Sequence, residues 1–249
     1  MRRGPRVTQA VRVKRSETDV TVVLAHAAWT DGSSWNKVIA GLRSQGVKAV
    51  AAPLPLTMLA DDVTALDQVL ERVEGPVVLA GHAYSGAVIA STGSEKVASL
   101  VYVTALAPDE GETVGDVYYW AEHHERAPKL GPDPHGLIWL PEAAFAEAFA
   151  QQASPLEQAL LAATQRPLAA ACIGVPVGRP RWKDRPSWFL VAEADRMIPA
   201  ETQRFMAERM KARVRTAPAD HVPMITAAPA VVEILLEAVR AAEPTGDSR

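Results

Sequence analysis

The residues best suited to chemistry are few and lie far apart in the chain. His221 stands in the run Ala219-Asp220-His221-Val222-Pro223-Met224, just before the last helical pattern. Asp195 stands in Ala194-Asp195-Arg196-Met197-Ile198-Pro199, just after an apolar run. A histidine held by a carboxylate is a general base, because the carboxylate orients the ring, fixes its tautomer and stabilises the imidazolium. Glu193 is a rival for the acid, and a helix-capping or loop role is the plain alternative for Asp195. The third feature is Gly81-His82-Ala83-Tyr84-Ser85-Gly86, a glycine-bounded corner between a valine-rich run and a helical start. Ala83 has only a methyl, with no lone pair, so acyl-enzyme chemistry cannot begin there.

These three stretches need a scaffold that brings loops together. Short valine-rich runs at Val20–Ala25, Val47–Ala51, Val77–Ala80, Leu100–Thr104 and Trp188–Val191 suit strands buried on both faces. Val63, Leu66, Val69, Leu70 and Val73 repeat at helical spacing behind the acidic pair Asp61 and Asp62. Further helices are expected from near Ser34, over Glu201–Met210 and over Ala230–Arg240, with a short strand at Arg213–Thr216. Strand alternating with helix predicts an α/β fold with a mostly parallel sheet and helices on both faces. The middle, residues 108–185, concentrates proline and tryptophan and includes an Ala-rich helical stretch, Glu142–Gln151. It reads as a lid inserted into a core formed by 19–107 and 186–241.

Composition excludes several classes of function. The chain has 249 residues, of which 48% are apolar and 22% charged, enough for one sizeable core. A net charge of −3 and no basic stripe beyond the N-terminus argue against a nucleic-acid partner. No apolar run approaches the roughly 18 residues of a membrane span. The single cysteine, Cys172, allows no internal disulfide and suits a reducing cytoplasm. Residues 1–18, with Arg2, Arg3 and Arg6 but no apolar core of a leader, are expected to be a disordered tail, as are residues 242–249.

The order elbow, acid, histidine is that of α/β-hydrolases. With His26-Ala27-Ala28-Trp29 near the first strand and Asp195-Arg196-Met197-Ile198-Pro199 near the acid, the chain resembles that superfamily from Asp19 to Arg240, and in particular its small esterase and hydroxynitrile-lyase-like branch. The family's elbow reads G-H-S-x-G-G and its first loop H-G-A-W. Ala83 therefore falls where the resemblance places a nucleophilic serine, Ser85 where it places a glycine, and Ala27 where it places the glycine after His26. The resemblance also implies an oxyanion hole formed by the backbone N–H groups of Ala28 and Tyr84.

Other residues have plainer readings. Ser85 as a relocated nucleophile would need glycines at 83 and 87, and both positions are alanine. It is expected in the first helical turn or on the pocket floor. His26 and His82 are expected to order their corners by hydrogen bonds, with His26 near the pocket. Tyr84 either presents its phenol to the pocket or packs on the lid. Asp31 is expected to close a turn. Trp120, Trp139 and Trp182 in the lid are candidates for the pocket wall, which would favour an apolar or aromatic ligand. His123 and His124 are adjacent, do not share a helix face and lack a third ligand, so a surface position is expected. Cys172, in an apolar setting, is expected to be an inert buried thiol.

These features predict a cofactor-independent enzyme, without a metal, acting on a small apolar carbonyl or ester compound. Base-activated water or lyase- or isomerase-type proton transfer would supply the chemistry. The alternatives are a binding protein that keeps the old pocket, and a serine esterase inactivated by substitution at position 83. The only partner expected is the small molecule itself, with a homodimer left open.

Overall fold

The computed structural model describes residues 18–243. Of the two segments expected to be disordered, only Thr18, Ala242 and Glu243 fall within the described residues. Six strands form one parallel sheet: β1 (Thr21–Ala25), β2 (Lys48–Ala52), β3 (Val77–His82), β4 (Val97–Val103), β7 (Ser187–Ala192) and β8 (Arg213–Ala217), in the order β2-β1-β3-β4-β7-β8. Two further strands, β5 (Leu137–Ile138) and β6 (Leu168–Ala169), form a separate antiparallel pair in the segment between β4 and β7.

Burial explains the sequence pattern of each strand. β1, β3 and β7 are buried at every residue, and β4 at all but Ala98, so their valine- and leucine-rich runs face packed layers on both sides. The edge strands are wetter. β8 exposes Arg213 to Thr216, and its charged residues discourage pairing with another chain.

Helices cover both faces. α1 (Asn36–Ser44) packs with the short α8 (Pro223–Thr226) and with α9 (Ala228–Ala242), which crosses β3, β4 and β7. On the opposite side α2 (Leu59–Glu71) packs against α3 (Ser85–Ser91), itself seated on β3 and β4. α7 (Ala200–Arg209) packs on β7. The helix expected from near Ser34 starts as a 3₁₀ turn, Gly32–Trp35, capped by Asp31, whose Oδ1 accepts from the Ser33 N–H at 2.8 Å.

The segment between β4 and β7 holds α4 (Val114–Tyr118), α5 (Glu142–Ala144) and α6 (Pro155–Thr164) besides β5 and β6. The Ala-rich stretch expected to be one helix departs from that form. After α5 it widens into a π-helical turn, Phe145–Phe149, closed by the Ala150 N–H donating to the Phe145 carbonyl at 2.8 Å. The wider turn buries both Phe145 and Phe149, and ring centroids 5.2 Å apart put Phe149 against His221.

Candidate active site

The strand order reverses between β1 and β3, so the loops leaving their C-terminal ends diverge and leave a crevice. Loops after β1, β3, β7 and β8 meet there, and they carry His26 to Trp29, Ala83, Asp195 and His221 respectively.

The acid and the histidine form a buried pair. Nδ1–H of His221 donates to Oδ2 of Asp195 at 2.9 Å, leaving Nε2 as the ring nitrogen with a free lone pair. Asp195 is itself held on every side. Its Oδ1 accepts from the N–H groups of Met197 at 2.8 Å and Ile198 at 3.0 Å, and Oδ2 also accepts from Gln203 Nε2 at 2.9 Å. Glu193, the rival acid, instead pairs with Arg204 at the surface. The His221 carbonyl accepts from Nε2–H of His82 at 2.7 Å and from the Thr104 hydroxyl at 3.2 Å, so two buried donors hold the loop. Burial lowers the pKa of His82 well below the ordinary histidine value, so its ring is a neutral strut. Asp220 serves the backbone. It accepts from the Val222 N–H, the Thr226 hydroxyl and the Gln152 N–H, which ties the loop to the turn after the π-helical segment.

The corner after β3 has elbow geometry. Ala83 sits at φ +45°, the left-handed region that a side chain adopts only at a cost. Close backbone approach makes the flanking glycines obligatory. A Cβ on Gly81 would lie 2.6 Å from the Ser85 carbonyl oxygen, and one on Gly86 would lie 2.2 Å from that of Leu106. Ala83 lines the crevice beside Tyr84.

Tyr84 points its phenol away from solvent. Its hydroxyl donates to Oδ2 of Asp62 at 2.6 Å and lies beside the Cys172 thiol, while the residue also lines the cavity. Asp62 is fully buried, and its Oδ1 accepts from the Leu56 N–H at 2.7 Å. Burial raises the carboxyl's pKa, against the lowering effect of these hydrogen bonds. The Cys172 thiol lies 3.8 Å from the same carboxylate and is pushed up to about 12, chiefly by burial. That fits an inert thiol.

Across from the elbow, the loop after β1 presents Ala28. Neither the Ala28 nor the Tyr84 N–H has a partner among the described residues, and both residues line the cavity. His26, expected near the pocket, is placed behind the loop instead. Its Nδ1–H donates to the Ala27 carbonyl at 3.0 Å, and its Nε2 accepts from the Leu54 N–H at 3.1 Å, which uses both nitrogens for architecture. Ser85, expected on the pocket floor, is fully buried and donates to the His26 carbonyl, so it pins the β1 loop to the elbow and does not face the cavity.

The cavity measures about 280 Å³ and is largely apolar, with walls that include Leu106, Tyr118, Leu130, Ile138, Leu168 and Ile198. Among the described residues its lining holds neither Lys, Arg, Asp nor Glu, and His221 is the one ionisable side chain apart from the phenols of Tyr84, Tyr118 and Tyr119. Three tryptophans of the segment between β4 and β7, expected as pocket wall, are placed outside it. Trp120 stacks on Phe205 with centroids 4.2 Å apart, and Trp139 is held at the surface by its indole N–H donating to Asp133. Trp182 is buried and donates to the Pro108 carbonyl. His124 is exposed and His123 half-buried, and no metal-binding cluster occurs among the described residues. The indole that does line the cavity is Trp29, whose N–H donates to the Ile138 carbonyl at 3.0 Å.

Residues 22–234 match the model of the alpha/beta hydrolase family, and the chain belongs to that family. No curated protein sequence gives a match. Among similar solved structures, polyneuridine aldehyde esterase superposes with a TM-score of 0.71 at 20% identity, over 87% of this chain and 98% of that one. A pyrethroid hydrolase from Sphingobium faniae gives 0.75 at 21% identity, over 89% and 98%. Tomato methylketone synthase I, a variant complexed with beta-ketoheptanoate, gives 0.74 at 20% identity, over 90% and 99%. At such identities the likeness carries the fold alone.

Proposed function

We propose that the chain is a cofactor-independent acid–base enzyme acting on small, largely apolar carbonyl compounds. His221 transfers the proton, Asp195 orients it, and the N–H groups of Ala28 and Tyr84 cradle a developing oxyanion. The observation that carries this reading is the methyl of Ala83 at the elbow, beside a His–Asp pair and two N–H groups without a partner among the described residues. Everything needed to stabilise negative charge on oxygen and to move a proton is kept, while the covalent nucleophile is missing.

Magnitudes favour chemistry that never needed the nucleophile. Losing a triad serine costs a serine hydrolase about 10⁶ in rate, whereas a reaction through an enolate needs only a base and a cradle. The ligand of methylketone synthase suggests one such substrate class, β-keto acids. There the bond to the carboxylate carbon breaks, its electron pair passes into the ketone, and carbon dioxide leaves. The enolate oxygen rests between the two N–H groups. Protonated His221 then delivers its Nε2 proton to the terminal carbon, giving the methyl ketone, and recovers a proton from water. A lining without Lys or Arg among the described residues supports this, because a carboxylate is poorly solvated there and its loss as neutral carbon dioxide is assisted.

A second reading is ester hydrolysis by water deprotonated at Nε2, which the esterase and the pyrethroid hydrolase among the similar structures favour. Product analysis with medium-chain β-keto acids and with the corresponding methyl esters separates the two. Ketone and carbon dioxide from the acids, lost by about 10²–10⁴-fold in His221→Ala, is the expected result. Alcohol release from the esters alone would favour hydrolysis, and ligand binding without turnover of either would leave a binding protein.

A further inference from the structure

We propose that the Tyr118 hydroxyl is the hydrogen-bond donor with which the cavity recognises a second oxygen function of its substrate, separate from the carbonyl oxygen held by Ala28 and Tyr84. The inference rests on the reading that small carbonyl compounds occupy this cavity.

Elimination leads to Tyr118. Among the described residues, the lining side chains able to donate are Trp29, Tyr84, Tyr118, Tyr119 and His221. The indole of Trp29 is committed to the Ile138 carbonyl and the phenol of Tyr84 to Asp62. Nδ1 of His221 is committed to Asp195, and Nε2 is the proton-transfer atom. Tyr119 is 63% exposed, so its ring belongs to the mouth. Tyr118 is half-buried, and its hydroxyl has no partner among the described residues, yet it is not one of the polar atoms sealed inside the protein. An accessible donor in an apolar wall is available to a ligand.

The side chain is also pre-organised. Its ring lies 4.3 Å from that of His123 and 4.9 Å from that of Tyr119, centroid to centroid, and His123 Nε2–H donates to the Tyr118 carbonyl at 3.1 Å. The short helix beneath it opens with a Thr113/Asp116 capping box, and the Gly115 N–H donates to Ile173 O at 3.1 Å. Burial raises the phenol's pKa, with smaller contributions from Tyr119 and the Asp195 carboxylate, so it stays a donor at neutral pH. A fixed donor in apolar surroundings loses little entropy on binding.

The test is equilibrium binding, which needs no turnover. Acetylacetone presents two oxygens, and methyl propyl ketone, of equal carbon count, presents one. Calorimetric titration of the protein and of Tyr118→Phe should show acetylacetone binding weakened about tenfold by the substitution, with methyl propyl ketone unchanged. Unchanged monoketone binding also reports an intact fold. Equal weakening of both ligands, or of neither, would overturn the role of Tyr118 while leaving the carbonyl reading standing. Failure of both ketones to bind the unaltered protein would overturn both.

Discussion

Ala83 concentrates the physics of the site in one residue. A methyl at φ +45° costs about 1–2 kcal/mol relative to glycine, and no side-chain chemistry offsets it. Ala83→Gly should therefore raise stability by about 1 kcal/mol, read as a higher urea midpoint. A lowered midpoint would mean that the methyl packs better than its backbone suffers. The neighbouring residue predicts the opposite sign. Tyr84→Phe removes the hydroxyl that donates to fully buried Asp62 and leaves Oδ2 with only the weak Cys172 thiol at 3.8 Å. A loss of about 1–3 kcal/mol is expected, and a neutral result would show that water replaces the hydroxyl.

At the scale of elements, what the sequence made legible follows from periodicity and from loop ends. The parallel strands, α2, α7 and α9 are long enough, or buried enough, to leave a pattern, and the structure has them within a few residues of expectation. His221, Asp195 and the glycine-bounded corner were legible because each abuts a strand or helix end. The supports behind them were not. Gln203 is bonded to Asp195 from α7, Asp62 to Tyr84 from α2, and Ser85 to the His26 carbonyl, and nothing local in sequence links these pairs. Within 108–185, α4 and α6 did leave a signal in Thr113-x-x-Asp116 and Ser154-Pro155-x-Glu157, both capping boxes. The tryptophans misdirected the pocket reading because hydrophobic bulk does not say which way an indole faces. Gly86→Ala probes the packing of α3 on the strand loops. Its Cβ would meet the Leu106 carbonyl at 2.2 Å, so a loss of about 1–3 kcal/mol and reduced activity are expected. Wild-type stability would contradict so close an approach.

The whole molecule carries a pH signature from rings buried to hold it together. Burial lowers the pKa of both His26 and His82, so each is neutral in the folded chain. Once the pH falls below about 6.5 the unfolded chain binds more protons at these positions, and stability is lost; above that value their contribution is complete. Asp62 and Asp220, raised by burial, act in the opposite sense, their contribution fading as pH rises above the ordinary carboxylate range. Comparison with a variant isolates the histidine effect. Between pH 7.5 and 5.5 the unaltered protein should lose urea resistance relative to His82→Gln, whose amide can still donate to the His221 carbonyl. Parallel curves would show that His82 protonates without cost.

The same joined loops make one measurement the most direct test of the proposal that this is an acid–base site without a serine nucleophile. The protein and its Ala83→Ser variant would be treated with a fluorophosphonate, which phosphonylates activated serines, and any label located by peptide mass spectrometry. The expected result is no label on the unaltered chain and label on the serine introduced at position 83, with base and cradle activating it. Label on Ser85 of the unaltered chain would contradict this and make the protein a serine hydrolase with a shifted nucleophile. Silence from the variant as well would contradict the competence of His221 and the Ala28 and Tyr84 N–H groups.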